Sequence, residues 1–201
     1  MAALPRVVVI TDWGLPDLVE RLRAVAAAHG PQVAIQHRAP GMVLRDYLAR
    51  ARQLATLSHT HGTPLFVNAR LDVALLCGAH LHLPGEAPWP SEVRPLLPAH
   101  RWISQAVHGA DEAPRTHEAD LALVSPVFAP GSKPGDTRPT LGAEGFTRLA
   151  QALPCPAYAL GGISPSSAVT LRGAYGVAAI SGVLAAPDPV EACRALLDAL
   201  R

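Results

Sequence analysis

Short apolar runs rich in β-branched residues alternate with longer stretches of helical spacing along the chain. The first run, Val7–Ile10, contains no polar residue, which is typical of a strand buried on both faces of a parallel sheet. The next stretch places Leu18, Leu22 and Val25 on one side of a helix. This unit recurs eight times in 201 residues. The repetition predicts the α/β class and a closed (β/α)₈ barrel, the TIM barrel, rather than an open sheet.

The predicted elements cover the chain without a linker or a low-complexity tract. The predicted strands are Arg6–Thr11, Val33–His37, Pro64–Asn68, His80–Leu83, Trp102–Val107, Leu121–Val124, Ala157–Leu160 and Val177–Ser181. The predicted helices are Pro16–His29, Leu44–Leu57, Leu71–Cys77, Ser91–Leu97, Glu112–His117, Gly142–Leu153, Ser166–Tyr175 and Pro189–Leu200. With 49% hydrophobic residues, we expect residues 1–201 to bury one core as a single domain.

Charge and cysteine content exclude several classes of partner. The formal net charge is +1 and aromatic residues make up 4% of the chain, so we expect neither a nucleic-acid nor a membrane partner. The cysteines Cys77, Cys155 and Cys193 are far apart and form no Cys-x-x-Cys pair. They predict a reducing, cytoplasmic location. The oligomeric state stays open, with a homo-oligomer as one alternative.

Two glycine turns near the carboxyl end predict a phosphate site. Gly161-Gly162 follows one apolar run, and Ser181-Gly182 follows the next. Glycine lets the backbone approach an anion and adopt positive φ, and a helix that begins there directs unpaired N–H groups at the anion. Turns after the seventh and eighth strands of a (β/α)₈ barrel form such a site. We therefore expect a phosphorylated small-molecule ligand.

Polar residues gather at the predicted carboxyl ends of the strands and in the loops just beyond them, where this fold places its ligands. The candidates are Gln36, His37, Arg38, Asn68, His82, His108, Ser125 and Lys133. Arg38 and Lys133 carry the positive charge that phosphate oxygens require. These residues predict one binding site for an anionic ligand at the mouth of the barrel, where the strands end.

A series of short motifs occurs in a fixed order. It reads Ile10-Thr11-Asp12, Gln36-His37-Arg38, Val67-Asn68-Ala69-Arg70, His82-Leu83, His108, Ser125-Pro126-Val127-Phe128, Ser132-Lys133, Gly161-Gly162-Ile163 and Ile180-Ser181-Gly182. The series resembles the thiamine phosphate synthase / thiazole tautomerase family over nearly the whole chain. The resemblance implies that N–H groups around Gly162 and Gly182 hold a thiazole phosphate. It also implies that Gln36, Arg38, Asn68 and Lys133 hold the pyrophosphate of a second substrate.

The chain departs from that family at its magnesium ligands. The resemblance implies an Asp after Asn68, where this chain has Ala69, and a second Asp at the position that Ala87 takes. Magnesium needs one or two carboxylates beside a pyrophosphate, and Glu86 is the nearest substitute. We therefore expect no resident metal and no cofactor, with Mg²⁺ required only if the chain is a synthase.

Three activities stay open. We favour a metal-independent thiazole tautomerase, an isomerase, although the resemblance implies a histidine of that branch where this chain has Pro126. The proton-transfer candidates are then His37, His82 and His108, since the ordinary pKa of histidine suits that work. The alternatives are a thiamine phosphate synthase, a transferase that forms a C–N bond with loss of pyrophosphate, and a non-catalytic binder of thiazole or thiamine phosphate.

Overall fold

In the computed structural model, which describes residues 3–129 and 139–201, eight parallel strands pair in chain order and the last pairs with the first. The strands are β1 Val7–Ile10, β2 Val33–His37, β3 Leu65–Asn68, β4 His80–Leu83, β5 Ile103–Val107, β6 Leu121–Val124, β7 Ala157–Leu160 and β8 Gly176–Ala179. The helices are α1 Leu18–His29, α2 Leu44–His61, α3 Leu71–Cys77, α4 Pro90–Val93, α5 Gly142–Ala152, α6 Pro165–Ala168, α7 Ser181–Leu184 and α8 Pro189–Ala199. The expected (β/α)₈ barrel is confirmed.

The strands are apolar because both of their faces are buried. Alternate residues point outward against the helices, as Val7 and Val9 do, or inward to the barrel axis, as Val8 and Ile10 do. The parallel register sets Val8 beside Ala34. The outer faces and the helices form the larger apolar core, and the inner faces form a second, smaller one.

An aromatic layer fills the barrel near the amino ends of the strands. The His80 ring stacks on Trp102 with 4.3 Å between centroids and lies 5.0 Å from the Phe66 ring. The Trp102 backbone N–H donates to His80 Nδ1 over 2.9 Å. Burial lowers the pKa of His80 to about 3, so the ring is neutral at physiological pH. The Tyr158 ring belongs to the same inner apolar core, and its hydroxyl donates to the Pro5 carbonyl oxygen.

Several helices differ from their predicted bounds. The predicted helix at 112–117 is a 3₁₀ segment, Ala110–Thr116, that contains Pro114; proline has no N–H to donate and disfavours a regular α-helix. The helix predicted over 166–175 stops at Ala168, and the chain continues in tight turns to Gly173, which has a φ of 79°. Among the described residues, none of the helices is both long and apolar enough to cross a membrane.

Candidate active site at the carboxyl ends of the strands

A cavity of about 400 Å³ opens at the carboxyl ends of the strands. The residues that line it are Ile10, Gln36, Arg38, Asn68, His82, Pro84, Gly85, Ala106, His108, Ser125, Pro126, Leu160, Gly161, Gly162, Ile163, Ala178, Ala179, Ile180, Ser181 and Gly182. The structure thus brings most of the sequence-predicted residues together at one cavity. Within the described parts of the chain, its lining includes arginine and histidine but no aspartate or glutamate.

The first glycine turn is held against the loop that follows β6. Gly161 and Gly162 have φ values of 102° and 61°, where side chains are disfavoured. A Cβ on Gly162 would lie 2.6 Å from the Ala129 carbonyl oxygen and 2.7 Å from Phe128 Cβ. The glycines are therefore required by protein packing as well as by backbone conformation.

The second glycine turn packs against the first. A Cβ on Gly182 would lie 2.7 Å from the Ile163 carbonyl oxygen. Ser181 and Gly182 open α7, so their N–H groups have no partner within that helix. Because α6 and α7 have only four residues each, the anion affinity expected here rests on a few backbone N–H groups rather than on the dipole of a long helix.

Arg38 and Gln36 project from the end of β2 on another side of the cavity. Thr11 holds the Arg38 backbone on both sides, since its Oγ1 donates to the Arg38 carbonyl and accepts from the Arg38 N–H, each over 2.9 Å. Gln36 is buried with 2% exposure, and Asn68 follows at the end of β3. Thr11 therefore fixes the point from which the guanidinium enters the cavity.

His82 lies inside the barrel and is unsuited to proton transfer near neutral pH. Its Nδ1 is 2.9 Å from the Ser104 hydroxyl. Burial first, and then the charges of Arg38 and His108, lower the pKa of His82 to about 3. A neutral His82 can still hydrogen-bond a ligand. Ser104 was missed from the sequence because only the β4–β5 register places it beside His82.

His108 combines access to the cavity with a carboxylate partner. Its Nδ1 lies 3.0 Å from Glu112 Oε2, and the same oxygen accepts the His108 backbone N–H over 2.8 Å. The ring packs over Gly85, where a Cβ would lie 3.3 Å from His108 Cε1. A carboxylate on one ring nitrogen orients the imidazole and leaves Nε2 for another partner. The i, i+4 spacing is the sequence signal that could have indicated Glu112.

His37, expected as a proton-transfer candidate, does not line the cavity. Its neighbour Gln36 points inward, so His37 points outward, where it is fully buried. Its Nδ1 accepts from the Trp13 indole over 3.2 Å, and its Nε2 is 3.1 Å from the Tyr47 carbonyl oxygen. Burial lowers the pKa of His37 to about 4. These contacts give His37 a packing role and correct its placement at the mouth.

The two remaining predicted residues have different positions. Ser125 directly follows β6 and lines the cavity, and its backbone N–H donates to the Val107 carbonyl oxygen over 3.0 Å. Lys133 lies outside the described residues, so its predicted contact with pyrophosphate stays a prediction.

The residues that the structure describes do not fit the magnesium ion that the family resemblance implies. Ala69, with a φ of 62°, and Ala87 offer no carboxylate where ligands are expected. Glu86 is exposed and does not line the cavity. Nor do residues 3–129 and 139–201 contain a group of three or more His, Cys, Asp or Glu side chains placed to hold a metal. Asp72, the acid closest in sequence to Ala69, is paired with Arg70 over 2.6 Å.

Known proteins resemble this chain over most of its length. The family model described as thiamine monophosphate synthase matches residues 7–183. A thiamine-phosphate synthase of Albidiferax ferrireducens is 40% identical over 87% of this chain and 83% of its own length. A thiamine-phosphate synthase from Roseiflexus sp. is 36% identical over 94% of this chain and 83% of its own length. The solved thiamine phosphate pyrophosphorylase from Pyrococcus furiosus superposes with a TM-score of 0.82 at 27% identity, covering 97% of this chain and 95% of that one.

These matches extend over the strands and turns from which the cavity is built. They agree with the resemblance carried by the strand-end motifs and the two glycine turns, and the relatives' names correspond to the transferase alternative rather than to the favoured isomerase. The chain belongs to the thiamine monophosphate synthase family.

Proposed function

We propose that the chain is a thiamine-phosphate synthase that joins a thiazole phosphate to a second substrate carrying a diphosphate. The observation that carries the proposal is the 40% identity to a thiamine-phosphate synthase over most of both chains. A cavity with a glycine-lined side and an arginine-bearing side supports it, because the two substrates carry separate anionic groups.

Each side of the cavity has its own task in this proposal. Backbone N–H groups of the turns at Gly162 and Gly182 bind the thiazole monophosphate. Arg38, Gln36 and Asn68 bind the diphosphate of the second substrate, to which Arg38 offers a planar pair of N–H donors. The bound phosphate thus positions the thiazole, so that its ring nitrogen faces the second substrate.

The proposed step is a substitution at carbon. The lone pair of the thiazole nitrogen forms the new C–N bond, while the C–O bond to the diphosphate breaks and its electron pair leaves with pyrophosphate. The ring nitrogen carries the resulting positive charge, and this step transfers no proton. Holding both reactants in one cavity supplies the proximity, and Arg38 stabilises the charge that develops on the leaving group.

The test is stoichiometric product formation. Purified protein is incubated with thiazole phosphate and the diphosphate substrate; thiamine phosphate is measured by fluorescence after oxidation, and pyrophosphate by a coupled assay. We expect the two products in equal amounts, with none when either substrate is omitted. Thiazole phosphate binding without product, with and without Mg²⁺, would refute the proposal and favour a non-catalytic binder.

A thiazole tautomerase is the second candidate, and the His108–Glu112 pair favours it. In that reaction the His108 ring would take a proton from one position of the thiazole and return it to another, while Glu112 holds the imidazole in place. Proton NMR of thiazole carboxylate phosphate without metal tests it. Interconversion of tautomers above the buffer rate, lost in His108→Gln, would support this candidate; a rate unchanged in His108→Gln would exclude this role for His108.

A further inference from the structure

We infer that this chain binds and uses the diphosphate of its second substrate without a divalent cation, with Arg38 supplying the charge that a metal supplies elsewhere. The inference rests on the proposed function and deepens it. It follows from a mismatch: the family resemblance implies a metal beside the diphosphate, and the donor set in this cavity does not fit one.

The carboxylates near the mouth are already engaged by protein partners. Glu112 accepts from both the backbone and the ring of His108. Asp72 accepts two bonds from Arg70, and Asp12 accepts the Gly14 N–H over 3.1 Å. Glu112 and Asp12 accept through one oxygen each, but none of the three carboxylates lines the cavity, so none is placed to bind Mg²⁺ beside a diphosphate there. Mg²⁺ also demands near-ideal octahedral geometry. The cavity walls, as far as the chain is described, offer none in their place.

Arg38, by contrast, is placed for an anion. It lines the cavity and forms no ion pair with any of the residues in 3–129 and 139–201. The buried His82 lines the same cavity, and the charge of Arg38 contributes to the lowered pKa of that ring. The reciprocal hydrogen bonds with Thr11 hold the Arg38 backbone in advance of binding, so less ordering is required when an anion arrives.

The sign of the metal effect follows from this charge distribution. Magnesium complexes pyrophosphate in solution and reduces its negative charge. A site whose walls, over the described residues, carry a cation and no carboxylate attracts free pyrophosphate more strongly than its magnesium complex. Added Mg²⁺ should therefore weaken binding in this chain, whereas a carboxylate-based site requires the metal and gains affinity.

Calorimetric titration with inorganic pyrophosphate, in EDTA and in excess Mg²⁺, tests this directly. We expect binding in EDTA and weaker binding in Mg²⁺. Arg38→Gln should weaken binding in EDTA about tenfold or more, because the variant loses a charge-assisted hydrogen bond to the pyrophosphate. Arg23→Gln is the matched control: it removes the same charge from an exposed position on α1, away from the cavity, and should leave the affinity unchanged.

A gain-of-function variant tests the same reasoning from the opposite direction. Ala69→Asp and Ala87→Asp together supply carboxylates where the family resemblance implies them. Position 69 accepts the change because Asp tolerates positive φ better than Ala. In this double variant we expect Mg²⁺ to strengthen pyrophosphate binding. The effect of Mg²⁺ on pyrophosphate affinity should therefore have the opposite sign in the double variant and in the unmodified chain.

The outcomes separate the inference from the proposed function. Pyrophosphate binding that requires Mg²⁺, no binding in either condition, an unchanged affinity in Arg38→Gln, or product formation abolished by EDTA would each overturn the inference. Product formation abolished by EDTA would nevertheless leave the synthase proposal standing. Metal-free pyrophosphate binding without product from the two substrates would refute the synthase proposal and support metal-free binding of the diphosphate.

Discussion

Replacing Gly162 with alanine separates two reasons for a glycine at this turn. A residue with a Cβ at a φ of 61° costs about 1–2 kcal/mol from backbone strain alone. The added Cβ would also lie 2.6 Å from the Ala129 carbonyl oxygen and 2.7 Å from Phe128 Cβ, which adds about 1–3 kcal/mol of overpacking. We therefore expect the free energy of unfolding to fall by about 2–5 kcal/mol.

Gly62 provides the matched control. It ends α2 with a φ of 66°, close to that of Gly162, and no atom lies within 4 Å of its added Cβ. Gly62→Ala should therefore cost only the strain, about 1–2 kcal/mol. Urea unfolding followed by circular dichroism measures both losses, and calorimetry measures thiazole phosphate affinity. Affinity should fall in Gly162→Ala and remain unchanged in Gly62→Ala.

Two results would refute this reasoning. Equal losses of stability in the two variants would mean that residues 128–129 can move away from the added Cβ at no cost in free energy. Packing against those residues would then not be a reason for glycine at this turn. If thiazole phosphate affinity were also unchanged in Gly162→Ala, the turn would not be the site of the monophosphate, and the assignment of the two sides of the cavity would fail.

Two further predictions concern buried polar groups. Tyr47→Phe removes the hydroxyl that donates to the carbonyls of His37, over 2.9 Å, and Asn68, over 3.1 Å, and should reduce the unfolding free energy by about 1–3 kcal/mol in urea titration. Burial depresses the pKa values of His37, His80 and His82 to about 4, 3 and 3, so the unfolded chain binds protons first as pH falls below about 6.5. Stability should be fully present above that pH and should fall toward pH 4, by up to about 1.4 kcal/mol per pH unit for each histidine; a flat profile from pH 7 to 5 in denaturant titrations would contradict their burial as neutral rings.

The strands could be predicted because burial on both faces leaves an uninterrupted apolar run. Residues 33–37 and 121–124 form strands with the predicted bounds. The segments at 110–116 and 165–175 are less regular because they contain proline or turn-forming residues, as at Pro114. Their apolar residues indicate burial, but local spacing alone does not distinguish a single turn from a continuous helix.

The polar cluster at the mouth could be predicted from strand ends, but the direction of each side chain could not. Gln36 and His37 are consecutive, so only one of them can face the cavity, and the sequence does not say which. The structure turns Gln36 inward and packs His37 against Tyr47. The partners Ser104 and Glu112 depend on strand register and on a 3₁₀ turn.

The aromatic layer formed by Phe66, His80 and Trp102 decides from which end ligands reach the cavity. Because this layer fills the amino end of the barrel, the cavity opens at the carboxyl ends of the strands. Under the proposed function, substrates enter and products leave at that end. Ligand exchange then requires no rearrangement of the apolar interior.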